Sequence, residues 1–395
     1  MRRMIIAVLS VLVSACGGGD APTPTPTRLE IEPIELGFDA RTTPGDTAVI
    51  NLDAQIDALS GLVERYGRDL NAVALVPLLL QRAQVLGAIE DVEAAADAAA
   101  VISDPVMRGR LQGATLAARH EWDEALARLP ESGAETGAET ERETIALARG
   151  EDPAPIVAAR EARALEAPSF RAETELAIAL TEAGRYDDAD AAYRRALAEY
   201  RDVSPFPIAF VQFQRGVMWA ERAGRPGRAV ELYRDAVRRV PDYVVANVHL
   251  AELELELGLR DEAIARLRRI AAQTLDPEAA GTLAELLTAE SPAESDTYLA
   301  TASARYEHLL AEHRLAYADH ATEFFLGPGA DPERALALAL ENLANRPTER
   351  AYDLAITAAL ATDDLALACR LGSEIDTRRT VPLTDTLAAL RPRCE

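Results

Sequence analysis

The sequence predicts an all-α chain of stacked helical hairpins, an α-solenoid, and three observations carry that expectation. Gly224 and Gly258 stand 34 residues apart, as do Ala229 and Ala263, and Gly184 closes a matching block upstream. A period of about 34 residues marks helix-turn-helix units that bury their apolar faces only by stacking. Small residues recur at fixed offsets in these blocks: Ala177, Ala189 and Ala196 let antiparallel helices approach closely, while Tyr193 and Tyr233 fill the space toward the next unit. Finally, 395 residues are too many for one compact core but natural for an array. The expected shape is a curved rod in which each hairpin shares its buried sides only with the hairpins before and after it.

Taken from the amino terminus, Arg2 and Arg3 precede an apolar run, Met4–Val13, too short to span a bilayer as a permanent helix. It reads as the positive and hydrophobic regions of an export signal over residues 1–15. Val13-Ser14-Ala15-Cys16 resembles the lipobox of bacterial lipoproteins. That resemblance implies cleavage before Cys16, a diacylglycerol on its sulfur and a further acyl chain on its amine. Two or more chains anchor stably, each buried methylene contributing ~0.8 kcal/mol. An ordinary signal peptide with a chance cysteine is the alternative. Residues 16–50 then read as a flexible tether: Gly17–Gly19 give slack, and Pro22, Pro24 and Pro26 alternate with threonines in an extended stretch. Among lipoproteins of two-membrane bacteria, outer-membrane members lack Asp after the lipidated cysteine, and Gly17 fits that pattern. The resemblance thus implies an exported lipoprotein on the outer membrane, facing the periplasm.

The solenoid is expected over residues 51–395. Its best block runs Leu176-Ala177-x-x-Leu180, Gly184-x-Tyr186, Ala189-x3-Tyr193-x2-Ala196. Next come Gly224 and Ala229-x3-Tyr233-x2-Ala236, closed by Pro241, and then Leu250-Ala251, Gly258 and Ala263-x3-Leu267. Glycine at the turn takes a left-handed helix cap without steric cost, and Pro241 stops the second helix. Pro226 stands where Tyr186 stands in the previous block, at a first helical turn that tolerates it. The 40-residue step from Gly184 to Gly224 holds a six-residue insertion around Ser204-Pro205-Phe206-Pro207. Weaker copies begin at Gly87, at Gly113 leading to Trp122, and near Gly150. Others cover Pro277–His313, Tyr317–Pro347 and Tyr352–Ala368, giving about nine helix pairs in all. A capping helix is expected at about 380–392.

These blocks resemble the tetratricopeptide repeat. The resemblance implies a right-handed superhelix whose first helices line a concave groove, and a protein-binding scaffold in place of an enzyme. Positions falling in that groove are Gln81, Gln84, Arg110, Arg171, Gln214, Met218, Glu221 and Glu252, then Tyr317, His320 and Phe324. Members that clamp acidic peptide termini use lysine, and this chain has none: all 41 of its basic residues are arginines. The partner implied is a protein or peptide of the cell envelope, bound during assembly or stabilisation of an envelope complex.

Net charge is −24, so nucleic acid and anionic headgroups are repelled and no nucleic-acid partner is expected; the membrane is reached through the lipid alone. The same acidity also keeps an exported Ala-rich chain soluble. With Cys16 assigned to lipid, Cys369 and Cys394 remain as a pair in an oxidising compartment, where a bridge would staple the cap over the last repeat. A buried free Cys369 is the alternative. No phosphate-cradling glycine loop, zinc helix or nucleophile elbow occurs, so no catalytic residue and no cofactor are expected. His308, His313 and His320 cluster in 13 residues, with His313, Tyr317 and His320 at helical spacing. They permit three readings: inter-repeat packing, peptide contact, or a weak metal site serving a ligand-capturing transport accessory. Gly133–Thr140 repeats a four-residue unit and reads as a loop.

Overall fold

The computed structural model describes residues 28–39, 41–67, 69–130, 138–378 and 385–394. The export signal, Cys16 and residues 133–137 of the short repeat lie outside the described residues. Among the described residues a helix, α1 (Gly45–Tyr66), is followed by nine hairpins. They are α2/α3 (Asp69–Leu86, Ile89–Ala100), α4/α5 (Pro105–Ala118, Trp122–Arg128) and α6/α7 (Ala138–Ala148, Pro153–Glu166). The central three are α8/α9 (Phe170–Glu182, Tyr186–Glu199), α10/α11 (Phe206–Val217, Pro226–Arg239) and α12/α13 (Val244–Glu256, Arg260–Gln273). The last three are α14/α15 (Pro277–Leu287, Pro292–Glu312), α16/α17 (Arg314–Leu326, Pro332–Asn345) and α18/α19 (Glu349–Ala361, Leu365–Arg378). A terminal helix, α20 (Asp385–Cys394), closes the stack. No strand occurs among the described residues.

The helix boundaries follow from local chemistry. Asp104, Asp152, Asp276 and Asp331 each precede a proline at a first helical position and accept a backbone N–H two or three residues on. Gly184 and Gly258 turn between paired helices at φ +73° and +72°. Where a repeat lacks that glycine, His120, Ala330 and Asp363 hold the left-handed conformation at φ +58°, +48° and +59°, each at about 1–2 kcal/mol. Ala177, Ala189, Ala192 and Ala196 are fully enclosed, and Tyr193 and Tyr233 are buried between hairpins. The Tyr233 ring lies on Gly216, where an added methyl would overlap it.

Helix α10 runs on into a π-helical turn, Met218–Arg222, where Ala223 N–H donates to the Met218 carbonyl. The wide turn advances the helix by one residue and carries Glu221 toward the inside of the superhelix.

Two features depart from the sequence expectation. The tether expected over residues 16–50 ends sooner, because residues 28–39 and 41–44 form a strap on the central hairpins and α1 begins at Gly45. Leu29, Ile34, Leu36 and Phe38 of the strap pack against the core. That apolar burial holds the segment down, where a composition-based reading saw only a linker.

The second departure is closure. The hairpins do not touch only their neighbours. Arg305 Nη2 donates to Glu90 at 2.7 Å, His313 Nε2 lies 2.8 Å from Glu93, and Asn345 donates to the His120 carbonyl at 3.1 Å. Ile89 and Val92 share a small core with Leu309, and Tyr317 packs against it. The superhelix therefore curls far enough for its first two hairpins to meet its seventh and eighth. At the far end, Leu387 and Leu390 of α20 pack with Leu371 and Ile375, and Cys369 is bonded to Cys394 with a Cα separation of 5.6 Å.

Candidate functional site

The inner walls of the closed superhelix carry two features. The first is a cavity of about 290 Å³ between α2, α8 and α10. Phe206 and Phe210 are four residues apart on α10, and Arg171, Thr174 and Ile178 share a face of α8, so both helices point these side chains inward. Val85, Phe170 and Tyr243 complete an apolar wall, with Gln81, Gln84 and Glu175 as polar members. Arg171 donates to Glu175 at 2.6 Å yet keeps 65% of its side chain in water. The ion pair leaves the guanidinium plane available at the mouth. The chamber can take one or two apolar side chains of a partner while Arg171 and the glutamines meet its backbone.

The second feature is a charged network that joins separate hairpins across the interior. His249 Nδ1 lies between Glu221 and Glu252 at 3.3 and 3.5 Å. Arg350 reaches Glu323 at 2.9 Å and Glu221 at 3.7 Å, while Arg346 pairs with Asp319 and His320 with Glu278. Burial works against the His320 imidazolium, but Asp319 and Glu278 outweigh it and push its pKa up to about 10. Burial would also raise Asp319, and His320, Arg346 and Arg350 reverse that to hold it well below the usual carboxylate range. Asp276 is half-buried, and desolvation together with the neighbouring Glu278 pushes it up to about 7. His120 is half-buried; desolvation and then the neighbouring Arg346 drive it down to about 4. These ion pairs join separate hairpins across the interior. Among the described residues no group of three or more His, Cys, Asp or Glu side chains is placed to hold a metal ion.

Several residues expected in a groove lie there, and others do not. Gln81, Gln84 and Arg171 line the cavity, and Glu221 and Glu252 belong to the charged network. Arg110 is paired with Glu141 at 2.8 Å, and Gln214 is half-buried on α10. Met218 is fully buried and Phe324 is 5% exposed, which makes both of them core. The Phe324 ring lies tilted 4.8 Å from Tyr306 and edge-on 5.2 Å from Phe325, since α16 turns that face to α15 instead of to the groove. Tyr317 is covered by the returning first hairpin. The histidines do not form a cluster: His308 is exposed, His313 is the junction between α15 and α16, and only His320 faces the interior network. Sequence reading missed Phe170, Phe206, Phe210 and Tyr243, although the spacing of the two α10 phenylalanines already puts them on one helical face.

With this geometry in hand, comparison with known proteins bears on the repeat itself. Residues 220–286 match the tetratricopeptide repeat. The match falls on the π turn, α11, α12, α13 and most of α14, which hold the 34-residue steps from Gly224 to Gly258 and from Ala229 to Ala263. No curated protein matches the sequence. Among solved structures, the APC/C hetero-tetramer Cut9-Hcn1 aligns at 13% identity with a TM-score of 0.45, over 86% of this chain and 66% of that one. This chain thus spans slightly less than two thirds of that relative's length. Yeast Tom70 aligns at 11% identity and a TM-score of 0.35, over 88% and 95% of the two chains. The Naa15/Naa10 complex bound to HypK-THB aligns at 13% and 0.30, over 88% and 64%. The chain is an all-α, tetratricopeptide-like solenoid, a fold suited to protein interaction.

Proposed function

We propose that this chain is a lipid-anchored protein-interaction scaffold of the bacterial cell envelope, holding a partner segment on its inner surface during assembly or stabilisation of an envelope complex. The cavity of about 290 Å³ between α2, α8 and α10 carries the reading, because it is an apolar, largely pre-formed recess with a charged mouth. Export is supported by the lipobox-like Val13–Cys16 and by the Cys369–Cys394 bond, a linkage that persists in oxidising compartments. An outer-membrane position facing the periplasm is supported by Gly17 following Cys16. The scaffold role is non-catalytic.

A photo-crosslinking residue at Arg171 in intact cells tests the site. The expected result is an adduct to one envelope protein, abolished by Ile178→Arg, which fills the recess, and absent when the probe sits at Leu165, which is 85% exposed elsewhere. Adducts that ignore Ile178→Arg would remove the cavity from the mechanism. Lipidation is read separately, as metabolic acyl label lost in Cys16→Ser.

A further inference from the structure

The strap is held as a bound peptide would be. Leu29 N–H donates to the Glu256 carbonyl at 3.3 Å, Glu32 N–H to Gly227 at 3.0 Å, and Thr43 N–H to Val203 at 2.8 Å. Its own carbonyls are met by side chains: Gln212 reaches Leu36 at 2.9 Å, and Arg239 reaches Phe38 at 2.9 Å. Arg215, fully buried, spends all its N–H groups at once. Two of its bonds go to Asp190 at 2.8 and 3.0 Å, and one to Gln212 at 2.9 Å. The remaining two go to the strap carbonyls of Glu35 and Leu36, at 2.8 and 3.0 Å.

Side chains of the strap alternate as on an extended strand as far as Leu36, and Gly37 then takes a left-handed φ of +78°. Glu32, Ile34, Leu36 and Phe38 turn inward, whereas Ile31, Pro33, Glu35 and Asp39 are exposed. Glu32 pairs with Arg225, and the Phe38 ring sits under the Arg239 guanidinium, 5.2 Å from it, and edge-on to Tyr200 at 5.9 Å. The insertion between α9 and α10 supplies Tyr200 and Val203, so the irregular step in the repeat is part of this slot. Arg215 is five positions from Phe210, about 140° round the helix, which places the slot and the cavity on different sides of α10.

We propose that this slot is a second binding site, selective for a segment of the pattern Glu-x-Ile-x-Leu-Gly-Phe, whose glycine takes the left-handed conformation of Gly37 (φ +78°) against the Arg194 side chain. The strap is its resident occupant, and a partner protein carrying that pattern replaces it. Most of the slot's bonds are made to backbone atoms, and its pockets read four alternate side chains, so the same contacts form with a segment from another chain. A tethered occupant competes at an effective concentration on the order of millimolar, which sets the threshold a partner must exceed.

The test uses the full chain and a fluorescent synthetic peptide of residues 28–44. In the Leu36→Asp, Phe38→Asp double variant the resident strap is weakened, and the peptide is expected to bind saturably, at least about 100-fold more tightly than to the unsubstituted chain. Adding Gly227→Ala should abolish that binding, because the new methyl would overlap the Glu30 carbonyl oxygen while alanine suits the helix itself. If the double variant does not fold, Glu32→Ala with Phe38→Ala loosens the strap more gently and the same titration decides. A folded variant that fails to bind the peptide, or binding indifferent to Gly227→Ala, overturns the proposal.

Discussion

Replacing Arg215 by methionine isolates what holds the strap. The substitution conserves the apolar stem and deletes the five N–H donors at a site with no exposure. Breaking a buried ion pair by removing one partner costs about 3–5 kcal/mol, mostly from the charge left behind. Here Asp190 is not wholly abandoned, since Arg194 lies 3.2 Å from it and Trp219 Nε1 donates at 3.1 Å. The expected loss is therefore at the lower end, about 3 kcal/mol. Urea unfolding gives the total, and amide exchange locates it. The N–H groups of Leu29 and Glu32, which donate to Glu256 and Gly227, should exchange faster even where global stability is little tested. A loss below about 1 kcal/mol, with protection at those two amides unchanged, would refute the claim that Arg215 clamps the strap.

Three further outcomes follow from the packing and the charges. Cys394→Ser opens a loop of 25 residues and should cost about 3.5 kcal/mol in the chain-entropy account, with exchange rising in α20 and α19 and little change in α8. A uniform rise along the chain would show that the bridge does not act locally. His320 is held protonated above its ordinary value, so its stabilisation is complete below about pH 6.5 and is lost as pH climbs toward about 10. With 36% of the side chain exposed, screening leaves only about 1–2 kcal/mol of that effect. The melting gap between the unsubstituted chain and His320→Gln should narrow from pH 6 to pH 10, and a widening gap would contradict the pairing with Glu278 and Asp319. Phe324→Ala should lower stability by about 3–5 kcal/mol, whereas Arg171→Ala should stay within about 0.5 kcal/mol; thermal melts of the two variants, if alike, would return Phe324 to the surface.

How much could be read beforehand depended on what one residue type can signal. The hairpins were legible where glycine marks the turn, at Gly184, Gly224 and Gly258, since a left-handed position advertises itself through the one residue that takes it freely. It was faint where His120, Ala330 and Asp363 take the same conformation, because there the surrounding packing overrides local preference. Arg171, Gln81 and Gln84 were found because they sit on first helices in the repeat register. Phe324 was misplaced by the same reasoning: α16 is apolar on more than one side, so the period alone does not say which side meets α15. The strap was hidden for another reason. Its alternation, Glu32-x-Ile34-x-Leu36-x-Phe38, asks for a partner surface that lies more than 150 residues away, and no local pattern reports such a surface.

The clasp between the first two hairpins and the seventh and eighth has a kinetic consequence. Glu90 meets Arg305 across 215 residues of chain, Glu93 meets His313 across 220, and His120 meets Asn345 across 225. Hairpins can zip up locally and early, but these links wait until the whole array has wound round, so they form late and limit the overall rate. An unclasped intermediate, ordered along its length and open across it, is the species to seek by pulse-labelling.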